Sequence, residues 1–170
     1  MKNNKLFLTI SIPLFAGLAL TACETANESV FGLSITVALD KTEARIGDTV
    51  TATVIYKNIN NGSIEVELPD WIVSEGGKNK QDMLIAVFSP EGDFNWHDYH
   101  ANIPDVESQK RPKFLIKKYE VVMRIFNHTI TETENIEVNA AVFFYYGVGG
   151  GIGWSKGFVG NIKPAIIKVQ

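Results

Sequence analysis

The chain has 170 residues, with 16 Lys and Arg against 19 Asp and Glu and a formal net charge of −3. This slightly acidic balance argues against nucleic acid as a partner, because domains that bind nucleic acid are usually basic. The length suits one domain with a hydrophobic core, which needs no metal or disulfide to fold, and a single cysteine excludes a disulfide within the chain. No cofactor is predicted.

The first 22 residues have the three parts of a secretory signal. Lys2 and Lys5 form a basic start, the run from Leu6 to Leu20 is apolar, and Thr21-Ala22 is a small-residue cleavage site. The apolar run is shorter than the roughly 20 residues that cross a bilayer. We predict that residues 1–22 are removed, which changes the net charge from −3 to −5 because two lysines and no acidic residue are lost.

The sequence Leu20-Thr21-Ala22-Cys23 resembles the lipobox of bacterial lipoproteins, in which small residues precede an essential cysteine. The resemblance implies that the sulfur of Cys23 accepts a diacylglyceryl group and that the mature amino terminus carries two or three acyl chains such as palmitate, enough for stable attachment to a membrane. It also implies the cell envelope as location. Glu24 is not the Asp that retains many such proteins in the inner membrane, which favours the outer membrane if the source is Gram-negative. The alternative is an ordinary secretory leader followed by a buried cysteine.

Residues 23–32 are predicted to be a short lipid-anchored tether, and residues 33–170 a single β-domain. The eight residues 24–31 reach only about 26–29 Å when fully extended. The domain is therefore expected to stay close to the membrane.

From Leu33 onward, apolar residues alternate with small or polar ones, which is the period of a half-buried strand. Strands are predicted over 33–39, 50–56, 64–68, 83–88, 94–96, 119–126, 136–146 and 165–169, with Glu65 and Glu67 facing water. Turn residues such as Gly47-Asp48 and Asn58–Gly62 separate them. Residues 101–113 are expected to form a polar loop, and no helix of useful length is expected after the leader.

This pattern predicts an all-β fold, an antiparallel two-sheet sandwich. Thr42 before Gly47-Asp48-Thr49-Val50, with an Asn-rich turn after the second strand, resembles the opening of many bacterial immunoglobulin-like domains. The resemblance covers residues 35–68. It bears on the fold and carries almost nothing about function.

The segment from Asp93 to His100 contains the candidate metal ligands His97, Asp98 and His100. Imidazole and carboxylate groups are ligands that zinc and similar metals prefer. On a strand, however, neighbouring side chains point to opposite faces, so only a curled loop would bring these three together. The favoured interpretation is a solvated loop whose Trp96 and Tyr99 pack onto the core.

A second candidate is the glycine-rich segment 147–153, which completes neither a dinucleotide-binding nor a P-loop motif and is predicted to be a flexible connection between strands. The loop is expected to continue through large side chains that could anchor an interface. In an immunoglobulin-like sandwich it would lie at the same end as the Asn-rich turn. The predicted partner-binding residues are Asn58, Asn60, Asn61, Trp154, Lys156 and Phe158. The alternative is that Trp154 and Phe158 cap the core.

The sequence therefore predicts a membrane-anchored protein that is not an enzyme and that binds a protein or another envelope component, or acts structurally, through loops at one end. The motif H-E-x-x-H is absent, and the one cysteine is expected to carry lipid. One alternative is a peptidase inhibitor, because immunoglobulin-like inhibitors of cysteine peptidases use a glycine-rich loop and an Arg-Pro-aromatic loop. Here Lys113 separates Arg111-Pro112 from Phe114, and the order of the loops is reversed. A second alternative is a metal-dependent enzyme or metal-binding protein that uses His97, Asp98 and His100.

Overall fold

The computed structural model describes residues 32–103, 110–147, 154–160 and 163–170, with the backbone alone described for 100, 146–147 and 154–160. Two short helices, α1 (Asp70–Ser74) and α2 (Trp96–Ala101), interrupt the strands, and a 3-10 helix covers Lys80–Met83. The strands are β1 (Leu33–Leu39), β2 (Glu43–Ala44), β3 (Thr49–Asn58), β4 (Ile64–Glu67), β5 (Leu84–Pro90), β6 (Lys113–Ile116), β7 (Val121–Thr129), β8 (Ile136–Gly147), β9 (Trp154–Gly160) and β10 (Ala165–Val169).

The strands form two sheets, of three and seven strands. The smaller sheet has the order β1-β3-β7 and is antiparallel throughout. In the larger sheet β8 pairs with β5 and β4 along one edge and with β10 and β9 along the other, while β6 extends the sheet beyond β4 and β2 beyond β10. Among the described pairs, β2 with β10 is the parallel one. The predicted all-β sandwich of mostly antiparallel strands is thus confirmed.

The core lies between the two sheets and follows from the alternation in the sequence. Every second side chain of β1 and β3 is buried, among them Ile35, Val54 and Tyr56, and the even-numbered side chains of β8, such as Val142 and Phe144, face them. Each fully buried aliphatic or aromatic side chain of this kind contributes roughly 1.5–3 kcal/mol.

The opposite face of β8 is buried as well, and the two helices cover it at Phe143. Phe143 lies at the centre of an aromatic cluster: its ring centroid is 5.7 Å from that of Trp71 on α1 and 6.2 Å from those of Trp96 and Tyr99 on α2. Edge-on contacts dominate this cluster, which is the favourable geometry for aromatic pairs. The helices thus add a partial third layer to the sandwich.

Most predicted strands are confirmed, and the differences have local causes. The strand predicted at 94–96 is wrong, because the Asn95 side chain accepts a hydrogen bond from the His97 amide at 2.8 Å and begins α2. The helix α1 was not expected. β9 is a strand in a region predicted to be a loop, and β6, for which no strand was predicted, begins at Lys113, the last residue of the predicted polar loop. Glu67 is 6% exposed and does not face water, because Arg111 and Lys113 supply positive charge beside it.

Asn58 joins the two sheets at one end of the sandwich. Its side-chain amide donates to the carbonyl oxygens of Gly62, Ile116 and Lys117 at 2.9, 3.1 and 3.1 Å, and its Oδ1 accepts from the Asn60 amide at 3.0 Å. Because Asn58 ends β3 and Ile116 ends β6, one buried side chain holds the smaller sheet, the larger sheet and a turn together. Such a group is costly to remove, since its partners are left unsatisfied.

We predict that Asn58→Ala lowers the free energy of unfolding by about 2–3 kcal/mol, because buried carbonyl oxygens lose their donor. Chemical denaturation followed by circular dichroism measures this change. The matched control is Asn61→Ala in the same turn, where the side chain is exposed and the expected change is within about 0.5 kcal/mol. Equal effects of the two substitutions would contradict the structural role of Asn58.

Candidate functional site

The segment Asp93–His100 packs its aromatic residues on the core and turns its charged residues outward. Phe94, Trp96 and Tyr99 contact one another with ring centroids 4.6–5.8 Å apart. The side chains of His97 and Asp98 are 88% and 71% exposed and approach each other at 3.4 Å. Trp96 and Tyr99 therefore pack as the sequence indicated, on a helix and not on a loop.

The structure gives the metal hypothesis little support in the part of the chain that it describes. Within those residues, no three His, Cys, Asp or Glu side chains come close enough to hold a metal ion. His97 and Asp98 point into solvent on one turn of α2, and the side chain of His100 lies outside the described atoms.

The predicted partner-binding residues of the Asn-rich turn have different environments. Asn58 is fully buried and its amide is used within the fold, so it offers no surface to a partner. Asn60 lies against Gly32, whose positive φ of 67° and lack of a side chain leave room for the Asn60 amide. Asn61 is exposed. Of the three, Asn61 is thus the one open to contact.

The other predicted residues, Trp154, Lys156 and Phe158, lie on β9, which pairs with β8 from Ala141 to Gly147. Their side chains, and residues 148–153 of the glycine-rich segment, lie outside what the structure describes. The backbone of β4 and β8 nevertheless shows at which end of the sandwich β8 ends. β4 begins just after the Asn-rich turn and runs antiparallel to β8 with Glu67 opposite Tyr145, so the turn lies beyond the carboxyl end of β8. Gly147, the last residue of β8, and Trp154, the first of β9, therefore lie at the same end of the sandwich as the Asn-rich turn.

The turn between β6 and β7 lies at this end too. The amide of Glu120 donates to the carbonyl oxygen of Lys117, and the amide of Tyr119 donates to that of Asn58, both at 3.0 Å. Tyr119 has a φ of 60°, a conformation that favours Gly or Asn at the third position of a turn. Its side chain is 56% exposed beside Lys118, whose Nζ is 4.7 Å from the ring centroid.

A cleft of about 310 Å³ opens on the side of the sandwich, between α1, α2, β5 and β7. Helix α1 ends there in a Schellman motif, in which the amides of Gly76 and Gly77 donate to the carbonyl oxygens of Val73 and Ile72 at 3.0 and 2.9 Å. Gly76 has a φ of 91°, which a residue with a side chain adopts only at a cost. Trp71 of α1 and Glu75, the residue that follows the helix, line the cleft.

Charged and aromatic groups alternate around the cleft. Arg124 donates to the carbonyl oxygen of Leu84 at 3.2 Å, lies 3.7 Å from Asp82, and its guanidinium is 5.1 Å from the centroid of Phe126. Burial alone would raise the pKa of Asp82, but hydrogen bonds from the amides of Lys78 and Asn79 outweigh it and hold the pKa below its usual value. Asp82 therefore stays ionised beside Arg124.

Across the cleft, Tyr99 and Glu75 form the second polar group. Burial, and then the negative charge of Glu75, raise the pKa of Tyr99 above its usual value. The phenol is therefore neutral at ordinary pH and has a hydroxyl that can donate or accept a hydrogen bond. The cleft thus combines an aromatic wall with a hydroxyl, two carboxylates and one guanidinium.

Arg111, which the inhibitor hypothesis places in an exposed binding loop, is engaged inside the fold. Its Nε donates to Asp70 at 2.9 Å, its Nη1 lies 3.6 Å from Glu67, and its guanidinium is 4.2 Å from the centre of the Tyr145 ring. The side chain is only 18% exposed. These contacts give Arg111 a structural role at the start of α1.

Comparison with protein-family models, with curated proteins and with solved structures found no match. In the part of the chain that the structure describes, neither helix has the length and apolar character needed to span a bilayer.

The turn between β6 and β7 leads to a prediction about how the stability of the fold depends on pH. Burial alone would raise the pKa of Glu120, but hydrogen bonds from Lys80 Nζ and from the Lys117 amide, both 2.7 Å long, outweigh it and lower the pKa. Because the pKa is lower in the folded than in the unfolded chain, this carboxylate stabilises the fold above the unfolded value, and the contribution is lost as the pH falls through the folded pKa.

We therefore expect the free energy of unfolding of Glu120→Gln to fall less steeply than that of the parent between about pH 5 and pH 3. Urea denaturation at a series of pH values measures the slope. Lys80→Met removes one of the two donors and should change the slope in the same direction but by less. Parallel curves for parent and Glu120→Gln would show that this carboxylate does not contribute to acid sensitivity.

Proposed function

We propose that this chain is a lipid-anchored binding module of the bacterial cell envelope and not an enzyme. The anchor is supported by the order of a basic start, an apolar run and Leu20-Thr21-Ala22-Cys23. Two or three acyl chains on Cys23 would hold the protein on a membrane, the outer one in a Gram-negative cell.

The side cleft is the observation that carries the binding role. Its volume of about 310 Å³ is at the lower end of the range for sites that take small molecules or single side chains of a partner. Aromatic surface from Trp71 and Phe126 would bury an apolar body, while Arg124 and Glu75 would orient a polar end. A ligand with one apolar and one polar part fits this arrangement.

The end of the sandwich that carries the Asn-rich turn, where the sequence predicts partner-binding residues, is a second surface for a partner. It offers Asn61 and the turn Lys117–Glu120, whereas Asn58 is occupied within the fold. The cleft is the better candidate for a specific ligand because it is concave and has polar groups at fixed positions.

The anchor makes a direct prediction. Cys23→Ser should abolish incorporation of radiolabelled palmitate and release the protein from the membrane pellet, because serine has no thiol to accept the lipid. The full chain in a Gram-negative host, fractionated and compared with the parent, gives the measurement. Equal labelling and equal pelleting of the two proteins would contradict lipidation at Cys23.

The binding role is tested in the intact cell by photo-crosslinking. A benzoylphenylalanine in place of Lys78, which is exposed and directly follows Gly77 of the cleft lining, should give a discrete adduct on illumination. The same residue in place of Thr133, on the loop after β7, is the control and should give none. Adding Glu75→Arg, which reverses a charge at an exposed position of the cleft, should remove the adduct. No adduct at position 78, or the same adducts at both positions, would refute a ligand in the cleft.

A further inference from the structure

The end of the sandwich where the chain enters has an unusual surface. Gly32 accepts a hydrogen bond from the Ile59 amide at 2.8 Å, and Leu33 pairs with Asn58, so the chain enters beside the Asn-rich turn. The Tyr119 amide bonds to Asn58 and brings the turn between β6 and β7 to the same place. We call this region, formed by Ile59, Leu115 and residues 117–121 with Lys57, the entry end.

Exposed apolar side chains concentrate on the entry end and on the strand that leads away from it. Among the described residues, the large hydrophobic side chains with high exposure are Ile46 at the opposite end and Ile59, Leu115, Tyr119, Val121, Met123 and Ile125. Met123 and Ile125 lie on the outer side of β7, and no described strand pairs with its free edge. Val121, Met123 and Ile125 stand at every second position of β7 and so share its outer face, and adjacent exposed apolar side chains of this kind mark a contact surface.

The charges of the entry end are mainly positive. Lys57, Lys117 and Lys118 are exposed, whereas the carboxylate of Glu120 is paired with Lys80 at 2.7 Å and that of Glu65 lies 3.8 Å from Lys113. The domain as a whole is acidic, so these lysines form a local exception. Lysine, tyrosine and aliphatic side chains gathered at one end of the sandwich suit the interface of an anionic bilayer, where rings and aliphatic groups enter the headgroup layer and ammonium groups meet phosphate.

We propose that the entry end is a membrane-contact surface, with Tyr119 at the interface of the lipid layer. This inference rests on the proposed lipid anchor. Residues 24–31 span at most about 26–29 Å, and they join the domain at this end and not at the other. The tether therefore keeps these lysines and apolar groups within reach of the bilayer. The backbone conformation of the turn does not itself require tyrosine, because Asn or Gly at position 119 would also adopt the positive φ.

The experiment uses the lipidated chain, purified from membranes and reconstituted in vesicles of phosphatidylethanolamine and phosphatidylglycerol. Cys23 is the only cysteine and its sulfur is blocked by lipid, so Asn61→Cys can be labelled alone with an environment-sensitive fluorophore. Thr133→Cys is the matched control at the opposite end of β7, whose nine residues separate the two positions by about 26 Å or more. We expect the emission at position 61 to shift to the blue and to be quenched by a lipid-borne quencher, while position 133 stays unchanged.

Two variants test the chemistry of the contact with the label at position 61. Lys117→Glu combined with Lys118→Glu should weaken the quenching, and so should Tyr119→Asn, which suits the positive φ and should not destabilise the fold. Equal exposure of the labels at positions 61 and 133 to water would overturn the proposal. Shielding of the label at position 61 without quenching by the lipid-borne quencher would overturn it as well, because it would indicate that a second copy of the chain or another protein covers this end. Vesicle flotation tests the lipid anchor separately. A protein that floats with the vesicles while the label at position 61 stays exposed to water refutes the membrane contact of the entry end and not the anchor.

Discussion

Strand β8 is buried along ten consecutive residues, Ile136 to Tyr145, and this burial sets what the rest of the chain must supply. Strands cover both of its edges and the smaller sheet covers its even-numbered face. On its odd-numbered face α1 and α2 cover Phe143, and the segment before α2 contacts Glu137. Fully covered strands are usual in parallel sheets between helices and less common in antiparallel sandwiches. The two short helices are therefore part of the core of this fold, and the cleft exists because they cover Phe143 from two directions.

Buried polar groups on the odd-numbered face of β8 determine where the helices lie. Glu137 is 6% exposed and accepts hydrogen bonds from the amides of Gly92 and Phe94 at 3.2 and 3.1 Å and from the Asn139 amide group at 3.0 Å. A buried carboxylate requires such donors. The contacts fix the backbone between β5 and α2, and α2 in turn carries Tyr99 to the cleft. At the other helix, the ion pair of Arg111 with Asp70 has the same effect on α1.

The alternation of apolar residues was enough to predict the sandwich, because it reports one buried face of each strand. It was not enough for α1 and α2, whose five and six residues are too short to show a helical period. Local signals existed: Pro69 before α1 and Gly76-Gly77 after it, and Asn95 before α2. Burial of Glu67 and Asn58 could not be predicted, since their partners Arg111 and Ile116 are more than 40 residues away. The cleft depends on the same long-range contacts, which explains why no pattern in the sequence marked it.

Strand β7 links the two proposed sites and makes each constrain the other. Its odd-numbered residues Met123 and Ile125 face outward, while Arg124, between them, reaches the cleft. A strand rises about 3.3 Å per residue, so Arg124 lies about 10 Å along β7 from Val121, the first strand residue after the turn. With Tyr119 at the membrane, the cleft would open just above the headgroups. The tether of eight residues enters at the same end, so it could not lift the cleft away from the membrane while the entry end stays in contact with the bilayer. The partner of the cleft must then be a molecule that reaches this layer. A ligand that occurs only farther from the membrane surface would be compatible with the lipid anchor but not with an entry end bound to the bilayer.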